Sequence, residues 1–288
     1  KYLAIKELSD ENKTYSILAL CEFAGIARSA YYKWLGHVNS DKDNLNERIA
    51  DTITKIHDEH PDMGYRRIRD TLAHDYKIAV NDKRVLRICR KKKIQSYIKH
   101  RYNCCTKPAS DPAYVAENIL NREFKSDMIN QKWVTDISYI KTLQGTLYLS
   151  IIRDLYDNSI VAYQTGTGQN NQLVLNTIRK AKRKEGVTAE LQLHSDQGFQ
   201  YTSHGYFKLT QAYGITPSMS RKGNPYDNAP AENFFSILKT ECIYRTKLSS
   251  FEEARSIIDE YIYFYNYQRI QTRTKLTPME LRCQFLNS

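Results

Sequence analysis

The stretch Leu191 to Glu241, LQLHSDQGFQYTSHGYFKLTQAYGITPSMSRKGNPYDNAPAENFFSILKTE, decides how this chain is read. LQLHS reads as a short buried strand that delivers Asp196 to a strand-to-loop junction, Tyr206 to Tyr213 as a helix, and ITPSM as a further strand. Asn228 and Pro230 then open a helical run that carries Glu232, with 35 residues between the two acids. A third carboxylate, Asp136, sits in the middle of the alternating run KWVTDISYIKT. Trp133, Val134, Ile137 and Ile140 flank it, which predicts a central strand. An unpaired carboxylate there is costly without a cation or a donor.

Carboxylates gathered from separate elements are the hard oxygen donors that Mg²⁺ takes in octahedral geometry. Two such ions about 3.5 to 4 Å apart can activate a water or a 3′-hydroxyl and stabilise the leaving oxygen of a phosphodiester. Asp136, Asp196 and Glu232 are therefore the candidate catalytic and metal-binding residues. Each also has a plainer reading, as a turn aspartate or a solvated helix glutamate. No nucleophilic triad competes: Ser195 follows His194 directly, and neighbours on a strand point to opposite faces. Asp154, Asp157 and Asp227 read as turn or capping residues. Lys239, seven positions after Glu232 on the same helix face, suits a phosphate contact or a merely exposed lysine.

Working outward, Trp133 to Thr142 and Thr146 to Leu155 read as strands joined at Gln144-Gly145, and Asp157-Asn158-Ser159 turns into a third, IVAYQTG. Gln172 to Lys184 is amphipathic. Three antiparallel strands, a helix, then strands alternating with helices is the order of a ribonuclease-H-like α/β fold: a mixed sheet with helices on both faces. Ser250 with Glu253, and Thr277-Pro278-Met279-Glu280, announce two late helices by their caps. The aromatic row from Tyr261 to Tyr267 reads as core before base-stacking platform. Arg269 and Arg273 beyond it are candidates to face DNA.

The first half is helical. TYSILALCEFAGIARSAYYKWL, from Thr14, reads as helix, glycine turn and a second helix capped near Ser29, the pattern of a helix-turn-helix. A polar linker follows. Leu45, Ile49, Ile53 and Ile56 then line one helix face, Tyr65, Ile68 and Leu72 the next, and a third helix starts after Asn81-Asp82. From Lys83 to Lys107 there are ten Lys or Arg and no Asp or Glu, with Tyr97 and Tyr102 interleaved. Such a block repels itself without a counter-charge, which favours phosphate contact over a solvated face. Arg66, Arg67, Arg84, Arg87, Lys91, Lys92 and Lys93 are the candidates. The expected domains are a helix-turn-helix segment (1–40), a basic three-helix DNA-binding domain (41–104), a linker (105–125) and a catalytic core with C-terminal helices (126–288).

Across 288 residues, 43 Lys+Arg against 32 Asp+Glu leave a net charge of +11, which suits a polyanionic partner. The six cysteines are scattered without a C-x-x-C, as free thiols in a reducing compartment are. His57 and His60 with Cys104-Cys105 have the wrong spacing for a zinc site. With no membrane span or signal peptide in the sequence, a cytoplasmic protein is expected.

Taken together, WVTDISYI, HSDQGFQYTS, GNPYDNAPAENFFSILKTE and the tail YIYFYNYQRIQTRTKLTPMEL resemble the OrfB-type transposases of bacterial insertion sequences, whose catalytic core is similar to retroviral integrase. MGYRRIRDTLAHDYKIAVNDKRVLRICRKKKI and LCEFAGIARSAYYKW look like that family's helix-turn-helix segments. The resemblance implies Mg²⁺-dependent cleavage at element ends, with Mn²⁺ able to substitute and two ions per site, followed by joining of the freed 3′-hydroxyl to target DNA. It makes Asp136, Asp196 and Glu232 the ligands. It also implies double-stranded DNA and further copies of the chain as partners, together with the upstream-frame protein or a frameshift fusion with it. Gln271 stands where some relatives carry His, and no leucine heptad is present. The chain opens at Lys1 without Met, as one portion of a longer product would. Two rivals keep the fold: a silent or regulatory protein that occupies element ends, and a nuclease that cuts without joining.

Overall fold

Strand β1 (Lys132–Thr142) is the axis of the second half, pairing antiparallel with β2 (Gly145–Asp154) on one side and parallel with β4 (Leu191–Ser195) on the other. With β3 (Ile160–Gly166) antiparallel to β2 and β5 (Ile215–Met219) parallel to β4, the order is β3-β2-β1-β4-β5. The computed structural model describes residues 1–11, 15–36, 41–98, 114–187 and 190–287. The β1–β2 hairpin turns one residue earlier than expected: Thr142 pairs with Gly145, whose φ of 136° is open to glycine, leaving Leu143 and Gln144 as the loop.

Both sheet faces are covered. On one, Trp133, Val161 and Leu193 pack under α7 (Asn171–Glu185) and α8 (His204–Ala212) through Val174, Ile178 and Tyr206. On the other, Ile140, Leu147, Leu149 and Ile151 meet α9 (Ala229–Glu241) and α10 (Phe251–Tyr267) through Phe234, Leu238, Ile258 and Tyr265. Alternation along β1 puts Asp136 on the parity of Val134 and Ile140, the face that α9 covers. This is the mixed, two-layered-over sheet expected from the sequence. The late helices start where their caps predict: Ser250 caps α10, and a full capping box at Thr277 and Glu280 opens α11 (Pro278–Leu286).

In the first half, α1 (Tyr2–Glu11), α2 (Ile17–Phe23) and α3 (Arg28–Leu35) enclose Ile5, Cys21 and Tyr31, and Gly25 takes φ 63° at the turn. The cap of α3 is Ala27 and not the anticipated Ser29, which lies in the first turn. Helices α4 (Asp41–Glu59), α5 (Tyr65–His74) and α6 (Asp82–Lys91) form a separate core of Ile49, Ile53, Ile56, Ile68, Leu72, Val85 and Cys89. Leu45 stays 43% exposed, so that apolar face begins one turn later than its sequence suggests. This three-helix unit touches the sheet half directly. The His60 ring stacks on Phe264 with centroids 5.0 Å apart, and Asp70 pairs with Lys275 at 2.9 Å.

Candidate active site

The three acids arrive on three elements. Asp136 comes from mid-β1, and its Oδ1 accepts the Ile137 N–H at 2.7 Å. Asp196 follows the last residue of β4 and accepts the Gly198 N–H at 2.9 Å. A Cβ on Gly198 would stand 2.9 Å from that same carboxylate oxygen, so any larger residue there displaces Asp196. Glu232 lies in the first turn of α9. That turn is tied to the sheet beside Asp136: Asn228 Nδ2 donates to the Thr135 carbonyl at 3.2 Å, and Arg153, 7% exposed, donates to the Pro230 carbonyl at 2.5 Å.

The acids feel one another. Burial drives the Asp136 carboxyl well above its ordinary range, and the charges of Asp196 and Glu232 push the same way, against the Ile137 N–H and Lys239. Asp196 is raised by burial, and Glu232 by burial and then by Asp196. Lys239 is the nearby counter-charge: burial lowers its ammonium while Asp136 raises it, and its Nζ lies 4.7 Å over the Tyr139 ring. Among the described residues no three His, Cys, Asp or Glu side chains are already close enough to enclose a metal ion. Asp196 and Glu232 reach Asp136 through their charges rather than as a closed ligand set. Hard oxygen donors, desolvated and mutually repelling, nevertheless fit a divalent cation in kind.

His194 plays no part as a base. It is fully buried, its ring nitrogens 2.8 and 3.0 Å from the Ser218 and Ser220 hydroxyls, and burial pushes its pKa down to about 4. Ser195 instead donates to the Asp196 carbonyl at 3.0 Å.

Two integrase core domain models match residues 127–225, which hold Asp136 and Asp196, and 232–286, which begin at Glu232. An HTH-like domain model matches residues 44–102. The putative transposase InsK for insertion sequence element IS150 of Escherichia coli (strain K12) is 34% identical over 284 residues, 97% of this chain and 98% of that protein. The chain belongs to the insertion-sequence transposases. A 31 kDa protein of insertion element IS600 from Shigella sonnei is 36% identical over 266 residues, 91% of this chain and 97% of its own length. Among solved structures, one from a simian T-cell lymphotropic virus intasome in complex with PP2A regulatory subunit B56 gamma has a TM-score of 0.49 at 16% identity, covering 80% of this chain and 73% of its own.

The basic residues of the transposase divide into two groups. Arg66, Arg87, Lys91, Lys92, Lys93 and Arg273 are exposed. On α6 the apolar face of Val85, Ile88 and Cys89 turns inward while Lys83, Arg87, Arg90 and Lys91 share the exposed side. Arg84 is half-buried and donates to Asn46 at 2.9 Å. Arg269 is a correction, and Arg67 is already partly engaged. Arg269 is 6% exposed and holds the Glu241 carboxylate at 2.7 and 2.8 Å, and Arg67 reaches the same carboxylate at 2.9 Å. The Arg269 guanidinium is spent inside the protein, whereas Arg67 keeps 20% of its side chain exposed and bonds Glu241 through Nη1 alone. Of the aromatic row, Tyr261 and Tyr265 are core, whereas Tyr263 and Tyr267 are exposed and stacked at 4.9 Å. Tyr102, Lys107 and Cys104-Cys105 lie outside the described residues.

Sequence reading undersold three acids and missed one phenol. Asp227 is a fully buried hub that accepts from Asn118 at 2.9 Å and is gripped at 2.8 Å by Arg221 and Arg122. Arg221 first, then Arg122, hold it far below the carboxylate range against burial. Asp154 and Asp157 do cap local turns, but both also meet Arg282 at 2.7 Å. Gln271, the departure in the tail, donates to the Asp157 carbonyl at 2.7 Å and accepts from Asn158 at 2.9 Å. Tyr201 is buried beneath the acids, its hydroxyl driven well above its usual pKa by burial and then by Asp136 and Asp196. Its position in GFQYTS carries no periodic signal that would have singled it out.

Proposed function

We propose that this transposase cleaves DNA at the ends of its element and joins the freed 3′-hydroxyl to target DNA, using Asp136, Asp196 and Glu232 as ligands for two Mg²⁺ ions. The observation that carries this reading is that carboxylates from β1, the end of β4 and the start of α9 are near enough for Asp196 to raise both Asp136 and Glu232, and Glu232 to raise Asp136, with no arginine paired to them among the described residues. When bound, divalent ions supply Lewis acidity toward the attacking hydroxyl and the leaving oxygen.

The chain's own residues do the rest. β1, paired on both edges, fixes Asp136, and the Gly198 turn orients Asp196. Glu232, half-exposed on the first turn of α9, has the rotamer freedom to close on the other two. Lys239, facing Asp136, suits a scissile or flanking phosphate. The exposed face of α6, with Arg66, Lys92 and Lys93, suits duplex phosphates, and further copies of the chain assemble on that DNA.

Labelled oligonucleotides carrying the element's terminal sequence, incubated with Mg²⁺ and a target plasmid, test the reading. Cleaved ends and joined products are expected from the wild type, and neither from Asp136→Asn. Binding without cleavage would leave the silent relative as the better account, and cleavage without joining the nuclease.

A further inference from the structure

Helix α9 presents Glu232 and Lys239 and ends on Glu241, which is 6% exposed. The sheet half satisfies that last carboxylate by itself: Arg269 makes two bonds and the Tyr261 hydroxyl donates at 2.6 Å. A third grip comes from the three-helix unit, through Arg67 Nη1 at 2.9 Å across 174 residues of sequence. The same corner holds more of that unit. Asp62 lies 3.7 Å from Arg67 and 3.5 Å from Arg245, and Arg245 rests 4.9 Å over the Tyr97 ring. Arg67 is thus redundant for neutralising Glu241, but among the ties between the halves it is the one that bonds the side chain of the last residue of α9. A 13-residue helix is stiff, so what moves at Glu241 is felt at Glu232, about 14 Å away at 1.5 Å per residue.

We infer that Arg67 is a positioning residue: by holding Glu241, the basic three-helix unit sets the axial position and rotation of α9, and with them the placement of Glu232 and Lys239. DNA seated on α6 is in this way reported to the site along a solid element. The inference rests on Glu232 being a catalytic ligand. A misplacement of about 1 Å at a reacting centre can cost up to about a hundredfold in rate.

The test uses the full chain with Arg67→Ala, Arg67→Lys and Glu232→Gln beside the wild type. Four quantities are measured: end cleavage against Mg²⁺ concentration, duplex affinity against salt, and, without metal, hydrogen exchange of the α9 amides and cooperative unfolding. For Arg67→Ala we expect turnover about tenfold lower, half-saturating Mg²⁺ several-fold higher and faster exchange near Glu241, with affinity and salt slope unchanged. Arg67→Lys should recover most of the loss. Wild-type turnover and Mg²⁺ dependence in Arg67→Ala overturn the inference. So does a loss confined to affinity with the salt slope lower by about one, which would make Arg67 a phosphate contact. If Arg67→Ala does not fold, Arg67→Gln is read by the same criteria. An active Glu232→Gln instead removes the reading of the site, whereas an inactive Glu232→Gln beside a wild-type-like Arg67→Ala removes only the positioning role.

Discussion

Two sets of carboxylates in this transposase are built on opposite rules, Glu241 buried and Asp136, Asp196 and Glu232 half-buried. At Glu241 a single acid meets two arginines and a tyrosine, and Arg269 above all pulls its pKa down to about 2 against the cost of burial. At Asp136, Asp196 and Glu232 all three acids are raised, first by burial, and Lys239 offsets Asp136 alone. The first arrangement is complete within the protein and serves as a joint. The second leaves its acids without such partners, at a cost that a cation bound as proposed would relieve and that proteins accept at sites of chemistry. Removing one carboxylate should therefore have opposite consequences in the two places.

The largest expected effect is on activity. Asp136→Asn, Asp196→Asn or Glu232→Gln should each lower cleavage and joining by at least about a thousandfold, since each removes a ligand from the proposed ions. Duplex affinity should stay within about twofold, because the basic face is untouched. Urea unfolding should show Asp136→Asn as stable as the wild type or more stable by about 1 kcal/mol, as loss of like-charge repulsion allows. A clear destabilisation would mean that Asp136 is a structural acid like Glu241. Glu241→Gln is the mirror case. It leaves Arg269 buried with half its partner, and breaking a buried pair typically costs about 3–5 kcal/mol. Unfolding at matched pH measures this, and a cost under about 1 kcal/mol would place the joint with ordinary surface pairs.

The exposed cations sharpen the same contrast from the other side. Arg87 and Lys91 project from the open face of α6, while Arg269 is consumed at Glu241 and Arg67 is bonded to it. Arg87→Gln with Lys91→Gln should weaken duplex binding about tenfold at moderate salt and cut the slope of log K against log salt by about two, near 0.9 per lost phosphate contact. Titrations at several salt concentrations check it, and an unchanged slope would move the DNA elsewhere.

This contrast also marks how far the sequence could be read. Strands β3, β4 and β5 fall on IVAYQTG, LQLHS and ITPSM as read, because burial on a sheet leaves a local apolar signature. Asp136 could be suspected because a charge in the middle of such a run contradicts its surroundings. Arg269 could not be told from Arg273: both follow the same aromatic row, and only the packing of α10 against α9 decides that one is buried and the other exposed. Asp154 looked like a turn residue because its partner, Arg282, stands 128 positions downstream. Local pattern reports which side chains must leave water, but not which distant charge meets them.

A smaller version of the joint shows how pH tests the same logic. His74, at the end of α5, lies 2.5 Å from Asp75 and 3.0 Å from Glu280 on α11, so it also links the two halves. Its pKa is raised above the ordinary 6.5, first by the hydrogen bond to Asp75 and then, against burial, by the charge of Glu280. A histidine raised on folding contributes stability that is fully present below 6.5 and disappears as pH rises through the folded value. His74→Gln should therefore destabilise the protein by about 0.2–1 kcal/mol at pH 6, in keeping with partly exposed pairs, and by less at pH 9. Urea midpoints of both proteins at the two pH values measure the difference. A penalty equal at both would assign His74 a packing role alone, whereas one that fades with rising pH identifies a charged contact. That contact would be weak enough to open while the Glu241 joint, ionised throughout this range, stays closed.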